Sequence, residues 1–360
     1  MITAPFSLVY SGIAPAFAGP LTHAGPGAAV LGRVTLGRNA WLGTLSVIRA
    51  DGHYVKVGDD FHLGSRSTLH INHGIFPCIV GDRVAVGAGA CVHACTVGSD
   101  VAIDDGTVIL DGAVVEDNVA FAPGSTVFPG KRIAGGFLYA GSPAKPVRPL
   151  AEGEAARLRG EIAARPQPSG ALPPGALAPG SHVHASVFIA GTASVRGRLV
   201  AEAESSIWYS NDLDAGAAAI RIGARTDVQD NTLIRCTTGQ GVSIGRDSAV
   251  GHNVTIHDCT IGDECLIGIG STVAPGTVVQ DRVLLAAAAR TEPGQVLESG
   301  WLYAGSPARK LSPLDDAKLA LTRLIVGQYC EYARDFAALE RRQRPAEAAL
   351  ASAQVPGAAR

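Results

Sequence analysis

Two histidines, His252 and His257, lie five residues apart within residues 244–277 and are the clearest candidates for chemistry in this chain. A neutral imidazole serves either as a ligand for a divalent metal ion or as a general base. Both roles require the ring to be held in a defined position by the backbone that carries it. The periodicity of the surrounding residues indicates what that backbone is.

Aliphatic residues recur in this stretch with a period of six, broken by a single five-residue step between Ile256 and Ile261. The repeating positions are Ile244, Val250, Ile256, Ile261, Ile267 and Val273. This period fits neither a helix nor an alternating strand. A repeat this short, usually followed by glycine or a small residue, is typical of a solenoid whose coils stack an aliphatic core. Six residues per side and three sides per coil predict an all-β solenoid, the hexapeptide left-handed parallel β-helix.

The chain contains this pattern twice. Residues 57–128 repeat the six-residue period, and the segment FLYAGSPAKPVRPL at 137–150 returns as WLYAGSPARKLSPL at 301–314. A helix is predicted after each copy, at 151–164 and from about 314 to 342, and the Pro- and Gly-rich segment between the copies predicts an extended linker. The predicted organisation is a first β-helix domain at 1–164, a linker at 165–181, a second β-helix domain at 182–342 and a flexible tail at 343–360.

Composition limits the partners and the compartment. The 44 glycines suit repeated corners, and the 5% aromatic content suits a narrow aliphatic core. A formal charge of −2 and a pI near 6.5 leave no basic footprint, so we expect neither nucleic acid nor membrane lipid as a partner. The N-terminus has no basic residue ahead of its apolar part, which predicts a cytoplasmic protein. The seven cysteines lack a CxxC pair, so most are expected to be buried and reduced.

The second half resembles a known family in detail. The motifs that carry the resemblance are IRIGARTDVQDNTLI, VGHNVTIHDCTIGDECLIGIGSTV, the YAGSPA segment and the helix sequence IVGQYCEYARDF. They are similar to those of the gamma-class carbonic anhydrases and related hexapeptide-repeat proteins, and the resemblance covers each half once. It implies a trimeric β-helix with metal sites between subunits, which hydrates carbon dioxide to bicarbonate. In the family, two histidines of each site come from one subunit and the third comes from its neighbour.

Under this resemblance, neither half carries a complete set of three ligands. The first half has His70 at the first position and His93 at the last, but Ala88 stands where the middle histidine belongs. A first half alone would therefore bind a metal weakly or not at all.

The second half has lost a different ligand. His252 takes the middle position and His257 the last, while Arg235 stands at the first. The losses are complementary, because an interface that joins His70 and His93 to His252 would restore three histidines. The sequence therefore predicts one composite site, although independent decay of both sites would leave the same pattern.

The resemblance also implies a metal and a set of polar residues around it. Three neutral imidazoles bind Zn²⁺, or another divalent ion such as Fe²⁺ or Co²⁺, and leave a position for water, whose pKa falls toward ~7. Gln229 would orient the resulting hydroxide, and Arg49 would bind bicarbonate, although Arg49 also fits an ordinary interface ion pair. The polar residues implied in the site are Arg49, Asp51, Gln229, Asp230 and a tyrosine, either Tyr139 or Tyr303, both of which also fit a structural role.

Histidines that match no ligand position and are interpreted as surface or turn residues include His53, His62, His73, His182 and His184. No acidic insertion suited to proton transfer interrupts the first prism between Arg49 and His70. The sequence therefore assigns no residue to the release of a proton from the site.

Three classes of function follow. The first is a carbonic anhydrase-like lyase acting on carbon dioxide and bicarbonate, the second a scaffold or binding protein that has lost catalysis, and the third an acyltransferase with a histidine as general base. Neither prism has a loop insertion suited to coenzyme A. A homo-oligomer with three-fold-like interfaces is expected, and only rings that mix first and second halves contain the composite interface.

Overall fold

The computed structural model describes residues 4–167 and 170–353, with side chains up to residue 343. It contains two left-handed parallel β-helices, each followed by an α-helix, as the six-residue period predicts. The last seven residues of the predicted tail, 354–360, lie outside the described residues, as do residues 168 and 169 of the predicted linker. The first strand of the second β-helix, Ala176–Leu177, already lies within that linker segment.

The first β-helix comprises twenty strands and is followed by helix α1 (Glu154–Ala164). Strands β1 to β20 are, in chain order, Phe6–Leu8, Ala16–Phe17, His23–Ala24, Ala29–Leu36, Trp41–Leu42, Val47–Val57, His62–Leu63, Thr68–His70, Cys78–Val80, Ala85–Val86, Cys91–His93, Thr96–Val97, Ala102–Ile103, Val108–Ile109, Val114–Val115, Ala120–Phe121, Thr126–Val127, Arg132–Ile133, Phe137–Ala140 and Lys145–Pro149.

The second β-helix comprises nineteen strands and is followed by helix α2 (Asp316–Ala353). Strands β21 to β39 are, in chain order, Ala176–Leu177, His182–Val183, Phe188–Ile189, Ser194–Ala201, Ser206–Ile207, Asp212–Ile222, Asp227–Val228, Leu233–Arg235, Val242–Ile244, Ala249–Val250, Thr255–His257, Thr260–Ile261, Leu266–Ile267, Thr272–Val273, Val278–Val279, Leu284–Leu285, Val296–Leu297, Trp301–Ala304 and Arg309–Pro313.

Each β-helix has three faces of parallel strands. In the first, β17-β14-β11-β8-β6 form one face, β6-β9-β12-β15-β18 the second, and an eight-stranded sheet that includes β10, β13 and β16 forms the third. Strand β6 is long enough to turn a corner, so its start pairs with β8 and its end with β9. The chain leaves each prism through an antiparallel hairpin, β19–β20 in the first and β38–β39 in the second.

Aliphatic side chains fill both prisms, as the repeat predicts. The five-residue step does not interrupt the core, because Ile256 and Ile261 on either side of it are both buried in the second prism. Aromatic residues collect instead between the two β-helices and α2. That cluster includes Tyr10 and Leu31 of the first half, Trp208 and Tyr209 of the second, and Phe336 of α2. Aromatic side chains thus form much of the interface between the halves, although Phe61, Phe121 and Tyr139 lie within the first prism.

The two helices begin two or three residues later than the sequence pattern predicts. Helix α1 packs Ile162 on the third face of the first β-helix, against Ala85 and Ala102. Helix α2 packs Val326 and Cys330 on the corresponding face of the second β-helix. It also reaches the first β-helix, and in this way it covers the junction where the two prisms meet.

Polar side chains at the corners of the second β-helix bind the first. Asn231 and Asn253 adopt left-handed backbone conformations, with φ of 60° and 56°, which asparagine tolerates. Asn231 Nδ2 donates to Thr68 Oγ1 at 2.9 Å, and Asn253 Nδ2 donates to the Arg66 carbonyl at 2.6 Å. Both corner amides therefore fix the relative position of the two halves.

The cysteines and the two helices can be compared with the predictions made from composition. All seven cysteines are buried and none forms a disulfide, which confirms the prediction of reduced, packed thiols. Within the described residues, neither helix is long and apolar enough to cross a membrane.

Candidate metal centre

His70 and His93 lie side by side on two parallel strands of the first β-helix. His70 ends β8, His93 ends β11, and the two residues are in register. Their neighbours Leu69 and Val92 belong to the aliphatic core, so both imidazoles point outward, because side chains alternate along a strand. The third histidine, His252, lies in the corner that follows β30 of the second β-helix and is fully buried.

The three rings converge on one point. His70 Nδ1 lies 3.1 Å from His93 Nε2 and 3.2 Å from His252 Nε2, and all three nitrogens lie within 4.8 Å of one another. Nitrogens bound to one tetrahedral Zn²⁺ at ~2.05 Å are about 3.3 Å apart. The structure thus brings together the two histidines of the first half and one of the second, inside a single chain.

Each imidazole has a carboxylate beside its outer nitrogen. The three pairs are His70 Nε2 with Asp51 Oδ1 at 3.2 Å, His93 Nδ1 with Asp111 Oδ1 at 2.5 Å, and His252 Nδ1 with Asp230 Oδ2 at 3.2 Å. The last pair is an ion-pair contact whose angle departs from a good hydrogen bond. A carboxylate at this position keeps the ring proton on the outer nitrogen. Three inner lone pairs then face one another, so the donor set fits a divalent cation between them.

Burial sets the charge of these groups. It lowers the pKa of His70 to about 3 and that of His252 to about 4, so both rings are neutral at pH 7. Burial opposes ionisation of Asp230, but the charge of Arg49 and the contacts with His252 and His70 together outweigh it and hold the pKa of Asp230 at about 2. The same balance keeps the pKa of Asp51 well below its usual range. Neutral imidazoles beside ionised carboxylates are the protonation state that metal binding needs.

Arg49 joins both halves and α2 at this centre. Its side chain is fully buried, donates from Nη1 to Asp51 and from Nε to Asp230 at 2.9 Å, and donates from Nη2 to Tyr329 Oη at 2.8 Å. The guanidinium also stacks on Trp208, with 4.4 Å from Cζ to the ring centroid. All three of its nitrogens are engaged with protein groups, and Arg49 does not line the cavity beside the histidines. It therefore acts as a positioning residue for two carboxylates.

Tyr329 of α2 is a further residue of the site. Its hydroxyl accepts from Arg49 and lies 3.5 Å from His252 Nε2, one of the inner nitrogens. Burial raises the pKa of Tyr329 well above its usual range, so the hydroxyl keeps its proton. The helical period predicts that this residue is buried, but it contains no signal that the residue faces the other half of the chain.

The structure places Tyr139 and Tyr303 elsewhere. Tyr139 donates its hydroxyl to the Ala134 carbonyl at 3.1 Å, and the Tyr303 hydroxyl accepts from the Glu298 amide at 2.8 Å. Both rings belong to the aliphatic cores near the ends of the prisms, and neither is among the described residues that line the cavity. These contacts are those of the structural role that the sequence also allowed.

The remaining family positions of the second half form a different cluster. His257 is in register with Arg235, as His93 is with His70, but Arg235 forms an ion pair with Asp212. Arg196 also pairs with Asp212, at 2.9 Å. Within the described part of the chain, His257 does not belong to the group of converging metal-ligand atoms. An arginine and a carboxylate thus occupy the place of the second site.

A cavity of about 320 Å³ opens beside His70 and His93. Gln229 lines it and is almost fully buried, with its amide nitrogen donating to Asp227 Oδ1 at 2.9 Å. His73 lies at the mouth, is exposed, and its Nδ1 bonds to the Tyr332 hydroxyl. His73 lies in a turn, as predicted from the sequence. The sequence did not predict that this turn lies beside the candidate centre.

His62 departs from its interpretation as a surface residue. It is 8% exposed because its ring stacks on Trp41, with 4.2 Å between centroids. The sequence period places both residues on the outside of the prism, but it does not predict that outward rings on successive coils cover each other. His62 lines no part of the cavity.

Asp227 is a buried carboxyl whose charge is poorly compensated. Burial raises its pKa to about 8, and Oδ2 has no hydrogen-bond partner among the described residues. In the unfolded chain the same group ionises near pH 4. Between about pH 4 and pH 8 the folded state therefore binds more protons, so this residue lowers the free energy of unfolding as the pH rises.

Asp227→Asn is expected to remove this penalty. The amide oxygen still accepts from Gln229, so the variant should gain about 2 to 4 kcal/mol in free energy of unfolding near pH 8 and little near pH 4. Urea unfolding of metal-free protein at both pH values measures the difference. The control is Asp60→Asn, which changes an exposed side chain and should alter the free energy of unfolding little. An equal gain at both pH values would contradict the assignment of a neutral Asp227.

Parts of this chain are similar to known proteins. A family model described as a hexapeptide repeat of succinyl-transferase matches residues 54–94 and 259–288. Protein YrdA of Escherichia coli is 40% identical over 136 residues, which cover 36% of this chain and 74% of that protein. Gamma carbonic anhydrase 1, a mitochondrial protein of Arabidopsis thaliana, is 32% identical over 162 residues, 43% of this chain.

The chain belongs to the family of gamma carbonic anhydrases and related hexapeptide-repeat proteins. This member carries the repeat twice, and it covers 59% of the length of the plant gamma carbonic anhydrase. Among solved structures, a hexapeptide transferase family protein from Anaplasma phagocytophilum is 30% identical with a TM-score of 0.41, over 42% of this chain and 90% of that chain.

Proposed function

We propose that the chain is a metal-dependent carbonic anhydrase-like lyase, which converts carbon dioxide and water reversibly to bicarbonate and a proton at one centre per chain. The observation that carries this proposal is the convergence of His70, His93 and His252, each with a carboxylate on its outer nitrogen. A divalent ion at such a centre supplies a water acidic enough to react at neutral pH. Zn²⁺ is the ion that fits three imidazoles best, and Fe²⁺ and Co²⁺ are also compatible with them.

The residues around the centre have distinct roles in this proposal. Arg49 and the two carboxylates that it binds hold His70 and His252 in place, and Gln229 presents an amide at the wall of the cavity. His73, exposed at the mouth, is the group suited to pass the product proton to solvent. Tyr329 offers a hydroxyl beside the centre for orienting a small oxygen ligand.

The oligomeric state is part of the proposal. One chain supplies two adjacent β-helices joined through one three-fold-like interface. The face that carries Ala88 and the face that carries Arg235 and His257 are the ones that would contact another copy. Light scattering gives the mass of the assembly, and a homo-oligomer is expected.

The test of this function is stopped-flow hydration of carbon dioxide by protein loaded with Zn²⁺ or Co²⁺. Activity should depend on the metal and disappear when a chelator removes it. In dilute buffer, His73→Asn should lower kcat by about 10- to 100-fold and leave KM nearly unchanged, because proton release becomes slow.

Added imidazole buffer should restore the rate of the His73 variant. His53→Asn is the matched control, because His53 lies two residues after Asp51 in sequence but is not among the described residues that line the cavity. Metal-loaded wild-type protein without hydration activity would overturn the proposed function. A His73 variant with an unchanged rate in dilute buffer would overturn the proton route alone.

A further inference from the structure

The cavity beside the three histidines is larger than carbon dioxide requires. Its volume is about 320 Å³. An engineered cavity of ~150 Å³ already holds a benzene molecule, whose six carbons exceed the size of carbon dioxide. The space beside the candidate centre therefore has room for a ligand of several more atoms than the proposed substrate.

The walls of this cavity are mostly aliphatic and come from both β-helices and α2. Residues that form them include Leu110, Leu266, Leu285, Leu321, Leu324 and Ile325. The only ionised carboxylate among the described lining residues is Asp111, and it already binds His93 and Asn72. No lysine or arginine lines the described cavity. These walls suit an uncharged aliphatic group and not a polyanion.

Exposed apolar side chains gather at the opening. Leu321 is 45% exposed, Leu324 54% and Ile75 57%, and all three line the same cavity. Single exposed leucines are common on proteins, but a group of them around one opening indicates a binding surface. An aliphatic chain that extends from the cavity would cover these side chains.

We propose that this cavity binds a straight-chain aliphatic monocarboxylate, with its carboxylate at the three-histidine centre and its alkyl chain along Leu266, Leu285 and Leu324. The proposal rests on the proposed function, because it requires a cation at the centre to attract the carboxylate. A monocarboxylate has the two-oxygen head of bicarbonate, with an alkyl group in place of the hydroxyl. The same centre therefore suits both anions, and only the alkyl group uses the aliphatic walls.

The test is a calorimetric titration of the Co²⁺-loaded protein with the series from acetate to decanoate. Each added methylene should tighten binding about three- to fourfold, as expected for an alkyl group that leaves water. By proportion to the benzene cavity, the space holds about 13 non-hydrogen atoms, so the gain should continue through the series to decanoate. The Co²⁺ absorption spectrum should change with each acid, and metal-free protein should bind none of them.

A pair of variants tests the location of the chain. Ala287→Phe fills part of the cavity, so it should weaken octanoate at least about tenfold and leave acetate unchanged, because two or more methylenes lose their place. Ala156→Phe, on the exposed side of α1, is the control and should match wild-type protein in both titrations.

The failures can be told apart. Affinity that does not depend on chain length, in protein that binds Co²⁺ and hydrates carbon dioxide, would overturn the monocarboxylate site and leave the proposed function standing. Binding of long acids without metal would overturn the placement of the carboxylate. Flat affinities together with a dimer that Leu324→Asp dissociates would overturn the proposal in favour of contact between copies. Protein that takes up no metal would overturn the proposed function itself.

Discussion

Replacing His252 with alanine is expected to lower bound Zn²⁺ from one ion per chain to less than about a tenth of that, because catalytic zinc sites need three protein ligands. The loss should be this large because His252 is the only histidine that the second half contributes among the described converging ligands. Elemental analysis after gel filtration, beside the protein concentration, measures it. His70→Ala should have the same effect from the other side of the interface.

His257→Ala is the matched control for this experiment. His257 lies in the same half, on β31, and pairs in register with Arg235 instead of with a second histidine. This variant should keep one Zn²⁺ per chain. Full metal content in His252→Ala, or loss of metal in His257→Ala, would show that the ion binds elsewhere.

Arg49→Met is expected to lower the free energy of unfolding by about 3 to 5 kcal/mol, the usual cost of removing one partner from a buried ion pair. Here the substitution leaves two ionised carboxylates, Asp51 and Asp230, without their common cation. Methionine fills much of the same space, so the loss of charge dominates over the loss of packing. Urea unfolding of metal-free protein at pH 7 gives the difference.

Two further variants make this result specific. Arg38→Met removes an exposed ion pair with Asp59, in which the arginine side chain is 70% exposed, and should leave stability unchanged. Adding Asp51→Asn and Asp230→Asn to Arg49→Met should recover part of the loss, since no unpaired charge then remains buried. An Arg49 variant as stable as the Arg38 variant would contradict the role of Arg49 as the buried link.

The fold follows closely from the six-residue period, because one position in six must be aliphatic wherever coils stack. The juxtaposition of His70 and His93 with His252 follows from the complementary losses once the resemblance supplies the ligand positions. The sequence contains nothing to show that these halves meet within one chain, because the Pro- and Gly-rich linker is long enough to join neighbouring or distant positions.

The roles of individual side chains were harder to predict because they depend on packing between elements. The helical period shows that Tyr329 is buried, but only the path of α2 across the junction brings its hydroxyl to Arg49. Arg49 fits both a bicarbonate ligand and an ion pair in the sequence. The structure shows its nitrogens engaged with Asp51, Asp230 and Tyr329.

The position of the candidate centre between two halves of one chain affects how it responds to dilution. A site shared by separate subunits is lost when the subunits dissociate, so its occupancy falls with protein concentration. Here the chain itself joins the halves that carry His70 and His252, and a covalent connection between two binding partners sustains a local concentration in the millimolar range. The three ligands should therefore stay together at nanomolar protein concentration. Because the two halves always occur together, a ligand position that has lost its histidine in one half can be filled by a histidine of the other half.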